Sequence, residues 1–361
     1  MTTHTRRYDI DAIRVIAIGL LLIYHTAIGF QGWGTMIGFI TNEKSLPELW
    51  SFMAIINIWR IPLLFFVSGM GVYFALQNRS WKQLFFDRGK RILLPFVFGS
   101  LAIVPIHIFI FQSYYDLELK YLPNPGHLWF LANIFIYVVL LFPIFYFLKK
   151  NADGKIVRFI KKALSSPLGL VLVIFAFFLE DLWTKPTIFE LYAMTWHGFL
   201  LGLLAFFFGF CFVLAGTDFW EMILKWRYWL LATAILLFVH RFMAPQMKVH
   251  HIFLVMESNI WIFSVFAFGY KYLNQKNNLL NTLSPAVYPI YIVHMIVLYI
   301  ISYWIFPLEI NAWFKFLITM TGTFSGSFML YLLIKRIKIV RPLFGLNSHI
   351  SHDFRVNSHR K

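Results

Sequence analysis

The feature that most constrains this chain is the recurrence of long apolar runs. They fall at 10–30, 50–76, 92–112, 127–148, 168–183, 191–216, 228–243, 252–272, 284–305 and 313–334. Each is close to the ~20 residues that cross a bilayer as a helix. The runs are continuous rather than alternating, which argues against strands and a transmembrane barrel. The chain is 60% hydrophobic, against ~45–50% in soluble proteins, and no soluble core absorbs that excess. The expectation is an all-α integral membrane protein, a bundle of about ten transmembrane helices. The first run is too long for a cleaved signal peptide, and no clear small-x-small site follows it, so it reads as a retained helix. Residues 1–341 read as one polytopic membrane domain and 342–361 as a short basic cytoplasmic tail.

Charge sets the orientation. There are 32 Lys+Arg against 16 Asp+Glu. In a membrane protein this excess belongs to cytoplasmic loops rather than to a nucleic-acid partner. With Arg6 and Arg7 placed inside, the opposite side holds only Lys44, Lys120, Lys185, Arg241, Lys248 and Lys315. Arg14 and Arg60 fall within spans, and the remaining basic residues face the cytoplasm. Both termini are therefore expected to be cytoplasmic, with an even number of spans between them. The single cysteine, Cys211, lies inside an apolar run. It supports neither a disulfide framework nor a cysteine zinc site, and no metal site is expected.

The ionisable residues within the spans are the functional signal. A charge at a helix centre costs roughly 2.5–3.5 kcal/mol on insertion scales, so such residues face a cavity or a partner by default. Arg14 and His25 share the first span. Eleven residues at 100° each make three turns plus ~20°, with a rise of ~16 Å. The two side chains therefore lie on one face, about half a bilayer apart. Asp11, one turn before Arg14, is placed to pair with it. His107, His127, His197, His240, Glu257 and His294 fall between the midplane and the outer face, and Arg60 lies near mid-membrane. Taken singly, His107, His197 and His240 read as hydrogen-bonded packing residues, and Arg241 as an interfacial residue snorkelling to the surface. Together the set suggests a polar chamber open outward, with a cationic mouth on the cytoplasmic side.

Histidine is the natural general base near neutral pH, and clustered arginines suit phosphates. Arg88 and Arg91, three apart in "FFDRGKRILLPF", share one face at the cytoplasmic start of the third span. A long substrate would place phosphates at this mouth and its reactive end ~16 Å deeper. Coenzyme A thioesters have that shape.

At these residues the sequence resembles the acyltransferase family 3 membrane proteins, in blocks spread over most of the chain. "IDAIRVIAIGLLLIYHTAIGF" is similar to the family's opening pattern, an arginine followed by a histidine at the spacing of Arg14 and His25. "RIPLLFFVSGMGVYFAL" resembles the second-span block around Phe65–Gly69, and "RGKR" the paired arginines after it. "GHLWFLANIFIY" and "SPAVYPIYIVHMIVLYI" resemble two later blocks. Within the family the nearest resemblance is to a stand-alone ten-span branch that decorates periplasmic glucans. Arg60 and Glu257 fit that comparison.

The resemblance implies an O-acyltransferase of a bacterial inner membrane, with acyl-coenzyme A as co-substrate and no permanently bound cofactor. Arg14, Arg88 and Arg91 would hold the donor. His25 would act at the thioester, directly or through an acyl-histidine, with Glu257 orienting an imidazole and His294 beside it. Arg60, His127 and Trp129 would contact the acceptor, a cell-envelope carbohydrate hydroxyl. Acetyl is the default acyl group, and succinyl follows if the glucan comparison holds, with Arg60 a cation for an acidic acyl end. The rival from another class is a proton-coupled transporter with a midplane His/Glu relay. Against it, the sequence shows no inverted repeat or paired broken helices.

Overall fold

The structure, a computed structural model, describes residues 6–77 and 79–347. Among these residues ten helices are long and apolar enough to cross a membrane: α1 Tyr8–Ile28, α2 Leu49–Gln77, α3 Trp81–Tyr114, α4 Gly126–Lys150, α5 Pro167–Thr184, α6 Trp196–Leu214, α7 Thr217–Met243, α8 His251–Tyr272, α9 Asn278–Ile305 and α10 Ala312–Arg336. There is no strand among the described residues. The protein is an all-α multi-pass membrane protein, as the hydropathy pattern predicts. α7 starts well before its apolar run, because its first turns carry Asp218, Glu221 and Lys225.

α1 packs against α2, α8, α9 and α10, so Arg14 and His25 look into the bundle. α2 packs most extensively on α6, and glycines permit the approach. A Cβ at Gly69 would overlap the Phe206 carbonyl, and one at Gly209 would overlap the Phe66 carbonyl. This reciprocal contact explains the glycine of the Phe-Phe-x-Ser-Gly block, since small residues let membrane helices close to backbone contact. Gly69→Ala is expected to cost about 1–3 kcal/mol through overpacking, read as a lower melting temperature in detergent.

α3 is not a uniform α-helix. Gly89–Leu93 and Gly99–Ile103 form π-helical turns, in which the Leu94 and Val104 N–H groups reach the carbonyls of Gly89 and Gly99. Each wide turn lies just ahead of a proline, Pro95 or Pro105, that donates no N–H. Pro105 leaves the Leu101 carbonyl free, and the Tyr121 hydroxyl donates to it at 2.8 Å. Such turns recur at functional sites, and the first of them carries Arg91.

Between α4 and α5 the basic loop folds into a short amphipathic helix, Lys155–Leu164, with Val157 and Leu164 buried and Ile156 and Phe159 exposed. Beyond α10, the turn Arg341–Phe344 packs Phe344 against Phe98, and Arg91 donates to Asn347 at 2.7 Å. Residues 341–347 thus join the wall of the membrane domain. The rest of the predicted tail, 348–361, lies outside the described residues.

Candidate active site

Two features lie on one axis through the bundle. The first is a cavity of about 350 Å³ lined by Arg14 of α1, Arg88 and Arg91 of α3, and faces of α2, α4 and α9. No acidic residue among those described lines it. Arg14 is paired with Asp11 at 3.5 Å, as the sequence suggests, but Asp11 also accepts from Arg6 at 2.8 Å and so compensates Arg14 only in part. Arg88 donates to the Gly71 carbonyl at 3.2 Å. Guanidinium groups suit phosphate-like anions, and three of them face this one cavity.

The second is a cluster of histidine rings beyond the cavity. His25 Nδ1 lies 2.9 Å from His294 Nε2, with the rings stacked at 5.2 Å. The His127 ring stands 5.0 Å from that of His294, and His107 lies 5.7 Å from His127. Elements distant in sequence supply all four: α1, α3, the turn that opens α4, and α9. The lining faces of the cavity lead directly to them. On α9, Tyr291 lines the cavity and His294 follows one turn later. On α4, Phe130 lines it and His127 precedes by one turn. On α1, Arg14 and Ile18 line it, and His25 continues that face at helical spacing. Tyr291 joins the two features: its hydroxyl donates to the His127 carbonyl, and its carbonyl meets His294 Nδ1 at 2.7 Å.

This bonding fixes the protons. A carbonyl only accepts, so His294 carries its proton on Nδ1 and donates to Tyr291. In the neutral ring Nε2 is then an acceptor, and His25 Nδ1 must donate to it. The His25 lone pair is left on Nε2, which has no protein partner among the described residues. The tautomer is assigned from the network rather than from observed hydrogens. The outcome is an imidazole with a free acceptor nitrogen, whose second nitrogen is oriented by a second histidine, itself held by a backbone carbonyl. This is the orienting logic of hydrolytic triads built from other groups.

The comparison with protein families settles the class of chemistry. The family described as an acyltransferase domain matches residues 7–332. The chain belongs to acyltransferase family 3. No curated protein and no solved structure matches it.

Within this acyltransferase, several sequence expectations need correction. Glu257 does not orient an imidazole. Both its oxygens accept from Arg241, at 2.7 and 2.8 Å. Arg241 in turn is no snorkeller: it is 2% exposed and also binds Glu190 and the Ala54 carbonyl. A buried charge needs a compensating charge, and each residue supplies the other's. Glu257→Gln is expected to cost about 3–5 kcal/mol and lower the melting temperature, with acyl transfer per folded molecule unchanged. A transfer defect at unchanged melting temperature would return Glu257 to the chemistry.

His127 sits in the histidine cluster itself, its Nε2 donating to the Ile292 carbonyl at 3.1 Å. Trp129 instead packs edge-on against Phe65 and Phe130, within the α2–α4 contact. His197 is a packing residue, bound to Glu180 and the Phe189 carbonyl. His107, read singly as a packing residue, joins the cluster; its depth was the only sequence signal.

The chamber is also closed rather than open outward. The loop 29–48 folds back over it, placing the Phe39 ring 5.5 Å from His25. Tyr299 ties the loop down at the Gly38 carbonyl, and Lys315 does so at Asn42.

Proposed function

We propose that the enzyme moves an acyl group from a coenzyme A thioester on the basic, cytoplasmic face to a hydroxyl of an extracytoplasmic cell-envelope carbohydrate, in a bacterial inner membrane. One observation carries the reading: a cavity ringed by Arg14, Arg88 and Arg91 shares its axis with the His25–His294 pair. The arginines take the donor phosphates. The pantetheine arm passes Tyr291, and the thioester reaches His25. The acceptor hydroxyl loses its proton to His25 Nε2 as its oxygen attacks the thioester carbonyl. The tetrahedral intermediate then collapses with cleavage of C–S, and the thiolate recovers the proton. His294 holds the His25 ring through both transfers.

Acetyl or succinyl is the group moved. The sequence blocks resemble glucan biosynthesis protein C, which makes a glucan the acceptor of choice. The loop 29–48 would move to admit it.

The test uses inside-out vesicles supplied with labelled acetyl- or succinyl-coenzyme A and glucan enclosed in the lumen. Label on the enclosed carbohydrate is expected. Label retained on the donor side, or no thioester consumed, contradicts the reading.

A further inference from the structure

The proposed reaction places a negative charge on the thioester oxygen and, with the groups assigned so far, gives it no partner. The bundle holds a positive charge at that depth that is likewise without one. Arg60 is 1% exposed, yet it takes part in no ion pair among the described residues. Its guanidinium lies over the Tyr24 ring, 4.3 Å from the centroid. Among the described residues its one hydrogen bond is long, 3.5 Å to the Leu20 carbonyl, and its Nε has no partner. A buried cation left this way is costly, and another arginine buried within a span, Arg241, shows how the same bundle compensates one when the purpose is structural: Glu257 and Glu190 both meet it. Arg60 has no such arrangement.

Its position is specific. On α2, Leu64, Val67, Ser68 and Gly71 line the arginine cavity, and Arg60 continues that face one turn further out. His127 and His294 likewise lie one turn beyond the lining faces of α4 and α9, and His25 two turns beyond Ile18 on α1. Arg60 meets α1 at Leu20 and Tyr24, the turn that carries His25. It lies close enough to His25 and His294 for its charge to act on both.

Resting on the acyltransferase reading above, we infer that Arg60 is a catalytic residue whose guanidinium receives the oxyanion of the tetrahedral intermediate. As the acceptor oxygen bonds to the carbonyl carbon, the C=O electron pair moves onto oxygen, facing Arg60, while the hydroxyl proton goes to His25. Collapse returns the pair and breaks C–S. A donor held in advance in a water-poor site is worth more than in water, because nothing reorganises as the charge appears. The Tyr24 ring supports the cation without neutralising it, as a carboxylate would.

The test measures donor affinity and single-turnover acyl transfer in nanodiscs for wild type, Arg60→Gln and Arg60→Lys, with acetyl- and succinyl-coenzyme A as probes. Arg60→Gln is expected to lose roughly 10²–10³-fold in rate, equally for both donors, with donor affinity unchanged. Arg60→Lys, a cation without the planar fork, falls by about tenfold or more. Should the glutamine variant not fold, the lysine variant decides by the same comparison. A wild-type rate in either variant overturns the assignment. So does a loss confined to the succinyl donor, which makes Arg60 a receptor for the acyl carboxylate, or a loss of donor affinity alone. Failure of the wild type to cleave either thioester removes the acyltransferase reading itself, an outcome distinct from these.

Discussion

His25→Ala is expected to abolish acyl transfer, by roughly 10²–10⁴-fold, while donor affinity stays at the wild-type value. The reason is positional. The three arginines that line the cavity stand on the side of Tyr291 away from the histidines, so removing an imidazole leaves the donor receptor intact. His294→Ala should give a smaller loss, because the base remains but its Nδ1–H loses the acceptor that orients the ring. The two substitutions should be non-additive, since both act on one proton-transfer unit. Stopped-flow measurement of thiol release alongside donor binding separates the outcomes. Equal losses that simply multiply in the double variant would place the two histidines in independent roles.

Arg14→Ala, Arg88→Ala and Arg91→Ala form the second large effect, on binding rather than chemistry. A hydrogen bond to a charged partner contributes about 1.5–3 kcal/mol, so each variant should weaken donor affinity by roughly 10- to 150-fold. Once saturated with donor, the turnover rate should be close to wild type. The ranking follows the surroundings. Among the described residues Arg88 bonds a backbone carbonyl and no carboxylate, so its charge is available to a ligand. Arg14 is shared with Asp11, so its loss should cost less. Wild-type affinity should fall as salt rises, because the cavity meets the aqueous face and its charges are screened. Coenzyme A should compete for the cavity, and pantetheine, which lacks the phosphates, should do so poorly. Donor affinity indifferent to all three substitutions would show that the cavity is not the receptor.

The sequence carried some of this and hid the rest, for physical reasons. Span number is a property of composition along the chain, and hydropathy reports it directly. The shared face of Arg14 and His25 follows from helical periodicity within one segment. Depth in the bilayer is equally local, so the layer holding most of the histidines was visible. What depth does not give is the angle at which a residue faces its neighbours. Glu257 and the histidines occupy the same layer, yet Glu257 points to Arg241 and His294 points to His25, 269 positions away in sequence. That choice is made by how α1, α7, α8 and α9 pack. The same limit hid the role of His107. It also hid the π turns of α3, which depend on where displaced carbonyls find donors, and the closure of the outer face by loop 29–48, which rests on bonds from Tyr299 and Lys315.

The most direct measurement is an experimental structure of the protein with the 2-oxopropyl thioether of coenzyme A, a donor analogue that cannot be cleaved and whose ketone stands in for the thioester carbonyl. The account predicts its phosphates against Arg14, Arg88 and Arg91, its arm passing Tyr291, and its ketone carbonyl between His25 Nε2 and Arg60. Phosphates bound elsewhere, or an arm leading away from the histidines, would contradict it.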